Sequence, residues 1–211
     1  MAQTDINPEV VAEISNMVSD TLNDINGEFD TLQSSVLAPI QEFWYNENAP
    51  KVMPGAVTNL NNLNKGVNES LASLGRALGS SANSWAEANG AGGYFVKSIA
   101  EAFKKMACDV VDNKNGFRGM DVDEIQKAIT QAETTRDAMI SKLQKLRAAG
   151  DREGFRGGNM QAALTNVCNT LESQINNGIN NILDNITTNT GTARSNVESA
   201  KSATESTFTI S

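Results

Sequence analysis

The sequence predicts an all-α fold: two long antiparallel helical hairpins in tandem, packing as a four-helix bundle with a short connector helix. Three observations carry that expectation. Apolar residues recur at steps of three and four along four long segments, the spacing that gathers side chains onto one face of a helix. Aromatics are scarce at 5% and only 4 of 211 residues are proline, which favours helices filled with Leu, Ile, Val and Ala over a β-sandwich. Each pair of long segments also turns at an aromatic-containing knot, Phe43-Trp44-Tyr45-Asn46 in the first and Gly154-Phe155-Arg156-Gly157-Gly158 in the second.

The first helix opens after Asn7, with Asn7 as N-cap, Pro8 at the first helical position and Glu9 in the first turn. Its stripe is Val11, Ile14, Val18, Leu22, Ile25, Phe29, Leu32, Val36 and Ile40. Gly27 and several asparagines lower its intrinsic propensity, so tertiary packing must hold it, and Pro39 is placed to kink its last turn. Trp44 to Pro54 reads as the reversal, punctuated by Pro50 and Pro54. The second helix continues Val57, Leu60, Leu63, Val67, Leu71, Leu74, Leu78, Ala82 and Trp85, and Asn89-Gly90-Ala91-Gly92-Gly93 ends it. Ile99, Phe103, Met106 and Val110 predict a short connector helix, broken by Asp112-Asn113-Lys114-Asn115-Gly116. A third long helix starts at Asp121 or Asp123 and carries Ile125, Ile129, Ala132, Met139, Leu143 and Leu146. The fourth carries Met160, Leu164, Val167, Leu171, Ile175, Ile179, Ile182 and Ile186. The chain thus divides into a first hairpin over 1–90, a connector over 91–120, a second hairpin over 121–203 and a flexible tail over 204–211.

Little in the composition points to chemistry. There is no histidine, which removes the commonest general base and the usual zinc ligand set. The net charge of −8 opposes association with nucleic acid or anionic membranes. The two cysteines, Cys108 and Cys168, read either as buried small hydrophobes or as one disulfide. Asp112 to Gly116 resembles a calcium loop, but setting Gly116 at the sixth position puts Val111 and Val122 where ligands are needed. Asp121, Asp123 and Glu124 are accounted for by helix capping and the helix dipole. Phe117-Arg118-Gly119 and Phe155-Arg156-Gly157 repeat a tripeptide. The repeat is either a coincidence of turn composition or, at the second copy, an aromatic plug at the open end of a hairpin. No catalytic residue, cofactor or metal is expected, and the chain is read as no enzyme.

The hairpins resemble the WXG-motif family, the small early-secreted-antigen-like proteins of type VII secretion. Residues 6–90 resemble it in helix length, in Trp44 at the turn and in Ala49 opening the second arm. Residues 121–204 carry Phe155-Arg156-Gly157 at the motif position, with Phe in place of Trp. Asn46 stands where the first motif has Gly, and Asn tolerates a left-handed backbone better than most residues. The family's export signal is Tyr-x-x-x-Asp/Glu after the second helix, and Trp85 followed by Asn89 would be a degenerate form of it.

The resemblance implies a non-enzymatic secreted or secretion-associated protein acting through protein–protein recognition. Trp44, Tyr45, Asn46, Phe155, Arg156 and Gly157 would build the hairpin tips. A secretion ATPase or a partner effector would be the partner, and the chain would be a monomer with an internal pseudo-dimer, or a homodimer. Neither nucleic acid nor stable membrane insertion is expected. The N-terminus lacks the basic and apolar regions of a Sec-type signal, so export from the cytoplasm would use another route. The alternative class is a structural or adaptor subunit that self-assembles into filaments. A third is a helical membrane-active toxin using Gly90 to Val110, a stretch interrupted by Lys97, Lys104 and Lys105.

Overall fold

The computed structural model describes residues 6–99, 102–156 and 158–208. The chain is mostly helical: α1 (Pro8–Leu32), a π-helical segment (Gln33–Leu37), α2 (Ala38–Phe43), α3 (Ala49–Ala88), α4 (Val122–Ala149) and α5 (Asn159–Phe208). Two short strands, β1 (Trp44–Tyr45) and β2 (Gly119–Met120), pair antiparallel with Trp44 opposite Met120 and Tyr45 opposite Gly119.

Local chemistry sets the helix starts. The Asn7 side chain accepts the Glu9 N–H at 2.9 Å, and the Asp121 carboxylate accepts the N–H groups of Asp123 and Glu124 at 3.1 Å. Each satisfies donors that the first turn leaves without a partner inside the helix. At Pro39, where a kink is expected, the structure has a local change of helix type. Just before it the helix widens into a π turn, with the Ala38 N–H reaching back to the Gln33 carbonyl. A proline cannot donate and crowds the carbonyl four residues earlier, and a wider turn relieves both problems. Pro50 and Pro54 do not end the reversal as expected. α3 begins at Ala49, with Pro50 in its first turn and Pro54 inside it.

α1 packs on α3 and α4, and α5 packs on the same two helices. Two clasps fix their directions. At one end the Asn7 N–H donates to the Gly154 carbonyl at 2.8 Å, and at the other the Asp121 N–H donates to the Phe43 carbonyl at 2.9 Å. The chain therefore runs out along α1, back along α3, out again through residues 89–118, back along α4 and out along α5. The core is one continuous apolar cluster filled by the predicted stripes of all four long helices. Lys142 and Glu28 form a half-buried ion pair between α4 and α1.

Two expectations fail on the connecting segments. The connector helix is absent among the described residues: 91–99 and 102–111 run without helical hydrogen bonding. α5 continues as helix through 204–208, where the sequence suggests a flexible tail, and 209–211 lie outside the described residues.

Candidate interaction surface

Residues 91–99 and 102–111 form an extended strap along the groove between α1 and α3. An extended chain on a helical surface has no ladder to satisfy its backbone, and buried N–H and C=O groups left unpaired are costly. Asparagine and glutamine side chains supply the missing partners. Asn61 on α3 donates to the Met106 carbonyl at 3.0 Å and accepts its N–H at 2.7 Å. Gln33 makes the same double contact with Ala107, at 2.9 and 2.8 Å. Adjacent residues of an extended chain turn their backbone groups to opposite sides, so neighbouring strap positions are held by opposite walls of the groove. Asn16 on α1 spans the Phe95 carbonyl and the Lys97 N–H, at 3.1 and 2.7 Å. Asn83 takes the Tyr94 N–H at 2.8 Å, Asn68 the Ala102 N–H at 3.2 Å, and Asn64 reaches the Lys104 carbonyl at 3.2 Å. At about 0.5–1.5 kcal/mol net per hydrogen bond, this ladder contributes several kcal/mol against the entropy of ordering the strap.

Shape completes the seat. A Cβ on Gly75 would lie 2.1 Å from Ile99 Cδ1, and one on Gly79 would lie 2.5 Å from Val96 Cγ1. The two glycines, one turn apart on α3, make a notch that any side chain would fill. Ile99, Met106 and Cys108 are buried in the groove. Lys97 pairs with Asp20 at 2.6 Å and Lys104 with Asp30 at 2.8 Å, both exposed contacts worth little individually.

The exposed aromatics among the described residues all fall between Trp85 and Phe117. Trp85 is 44% exposed, Phe95 78%, Phe103 38% and Phe117 73%, from a complement of only two Trp, two Tyr and seven Phe. Phe117 follows Lys114-Asn115-Gly116, whose Asn115 and Gly116 have φ of 55° and 82° and which closes by Lys114–Phe117 hydrogen bonds of 2.7 and 3.0 Å. This is the Asn-Gly turn that favours a hairpin, a signal the helical reading passed over.

The predicted turn residues lie at opposite ends of the molecule. Trp44 is fully buried, and its indole N–H donates to the Asn46 side chain at 2.9 Å. The same Asn46 oxygen accepts the Asn48 N–H at 2.9 Å, while its backbone carbonyl accepts the Ala49 N–H. Asn46 therefore works through its side chain: among the described non-glycine residues only Asn115 has positive φ, which corrects the expected left-handed role. Tyr45 is half-buried against Gly119. Phe155 is buried at the other end, beside Gly154, whose φ of 84° and close approach to Asn7 require a residue without Cβ. Arg156 is exposed and donates to the Asp151 carbonyl at 3.0 Å, and Gly157 lies outside the described residues. The two Phe-Arg-Gly copies share no environment, since Phe117 is exposed and Phe155 buried.

Trp85 leaves the apolar stripe to which its spacing assigned it. Asn89 caps α3, its side chain donating to the Trp85 carbonyl at 2.7 Å. The cysteines are not bonded to each other. The Cys108 thiol donates to the Leu37 carbonyl at 3.3 Å, and burial, with Asp109 beside it, pushes its pKa to about 11. Burial, then Glu172, pushes Cys168 to about 12 against the opposing Arg147. Both are inert thiols. Among the described residues no group of three or more potential ligands could hold a metal, and no helix is long and apolar enough to cross a membrane.

The chain matches no family model, no curated protein and no solved structure.

Proposed function

We propose that this chain is a non-enzymatic, secreted or secretion-associated helical protein that works by protein–protein recognition, resembling a type VII secretion substrate or effector partner. In this reading α1–α3 and α4–α5 are two hairpins in tandem, and each supplies the partner face that the other needs, forming an internal pseudo-dimer. The observation that carries it is the distribution of surface. The apolar stripes are consumed in the core, while exposed aromatics concentrate between Trp85 and Phe117. The far end of α5 supports the same reading. Arg194 lies in a shallow cleft with Tyr45, Asp121 and Asp123, level with the start of α4, so α5 runs past its neighbour by about 20 Å at 1.5 Å per residue. Residues 191, 192, 194, 195, 198, 199 and 202 are all exposed there, as a segment offered to a partner would be.

The test is recovery from culture medium in a strain with and without its type VII secretion ATPase. Export should depend on the ATPase and fall on deleting 191–211 or on Trp85→Ala. Retention in the cytosol whatever the ATPase state removes the reading. The exposed aromatics also favour a second reading, a self-assembling subunit. Sedimentation showing growth with concentration, abolished by Phe95→Ser and Phe117→Ser together, would select it.

A further inference from the structure

The strap carries two contradictory instructions. Its local sequence spells a helix. Ser98-Ile99-Ala100-Glu101 is a capping box, in which a serine N-cap and a glutamate three residues on satisfy one another's end of the first turn. Glu101 and Lys105 stand four apart in the favourable acid-before-base order, and Ala102, Lys104, Lys105, Met106 and Ala107 are good helix formers. Ile99, Phe103, Met106 and Val110 fall on one narrow helical stripe. The groove imposes the opposite: an extended backbone held by carboxamides, with Ile99 and Met106 buried but Phe103 left 38% exposed. Natural sequences keep local preference and tertiary structure in agreement, and a conflict over so many residues marks a functional or strained segment.

We propose that residues 98–110 are a two-state element, with 98–99 and 102–110 extended in the α1/α3 groove in this structure and the whole segment an amphipathic helix once out of it. The clasps are Asn61 on Met106, Gln33 on Ala107 and the Gly75/Gly79 notch under Ile99 and Val96. The hinge is Gly90 to Gly93, where Gly90 already has φ of 67°. Release breaks the contacts to the groove and lets the four stripe residues gather on one face, so the exposed Phe103 of the strap becomes part of a continuous apolar ridge. The four long helices keep their own core throughout, because the stripes of α1, α3, α4 and α5 pack on each other. This inference stands independently of any route of export.

The experiment follows backbone Cα chemical shifts in the full-length, isotope-labelled protein. Gly79→Leu drives a side chain into the seat of Val96, and a second variant, Gln33→Ala with Asn61→Ala, removes two clasps without adding bulk. In either, residues 98–110 should move from extended to helical shifts, a gain of about three turns, while the four long helices keep theirs. Adding Lys105→Pro should abolish the gain. The groove bonds use the N–H groups of Tyr94, Lys97, Ala102, Met106 and Ala107, so proline at 105 removes none of them yet breaks a helix. Released residues with coil shifts would overturn the proposal, as would a helical gain that survives Lys105→Pro. So would a strap that stays extended in both variants, because the named contacts would then not be what holds it. If Gly79→Leu fails to fold, the double amide variant decides.

Discussion

Both halves of the molecule are rich in asparagine and use it differently. On α1 and α3, the side chains of Asn16, Asn61, Asn64, Asn68 and Asn83 pair with the backbone of the strap, Asn68 donating as well to the Asn64 carbonyl of its own helix. On α5, Asn185 and Asn189 donate back to the carbonyls four residues earlier in the same helix, and Asn169 and Asn180 receive guanidinium groups from α4. The same side chain serves as a rung where an extended segment lies beside it, and makes only local or interhelical contacts where none does. An asparagine-rich helix is therefore ambiguous until its neighbour is known.

The turns should be the point at which the two halves behave alike and the effects are largest. Trp44→Ala and Phe155→Ala each empty a fully enclosed aromatic site and should each cost about 3–5 kcal/mol in urea unfolding. A much smaller loss at Phe155 would mean that only the first turn is an anchor. The asparagines should then separate the halves. Asn61→Ala strands both backbone groups of Met106 and should cost about 1–3 kcal/mol, while Asn185→Ala, facing solvent, should stay within about 0.5 kcal/mol. Equal effects would erase the distinction.

The glycines of α3 sharpen it within one helix. Gly66 has open space around its absent Cβ, so Gly66→Ala should stabilise by about 0.5–1 kcal/mol through helix propensity. Gly79→Ala carries the same propensity gain but meets Val96, and should come out net destabilising by about 1 kcal/mol with faster hydrogen exchange confined to the strap. The smallest effect concerns the thiols. Both pKa values are raised, so their neutral forms favour the folded state. That contribution is intact below pH 9 and is lost as pH rises towards 11 for Cys108 and 12 for Cys168. Alkylation at pH 8 should be slow at both, and in the strap-releasing variants it should accelerate at Cys108 alone.

The four helical stripes were legible in the sequence because burial on one face leaves a periodic trace; Asn7 announced its helix start, and Asp121 was one of two candidates for the other. The knots were legible as aromatic turns, although the working part of Asn46 proved to be its amide and not its backbone. The strap was not legible, for a physical reason. Ile99, Phe103, Met106 and Val110 have honest helical spacing, and only the distant Gly75, Gly79, Gln33 and Asn61 override it. Trp85 misled in the same way: its spacing fits the stripe, but the buried line of α3 runs from Leu78 through Ala82 to Ala86 and leaves Trp85 one position off it.

The two clasps at the ends of α1, Asn7 to Gly154 and Phe43 to Asp121, work like the jaws of a calliper. They hold the out-run of about 54 Å through α1 and α2 equal to the return through α4 and its following turn. Neither segment can gain or lose a helical turn alone without opening one jaw. In any relative of this chain, an insertion in α1 should be matched by one of the same length in α4, and paired length changes would be the mark by which such relatives are recognised when their residues no longer agree.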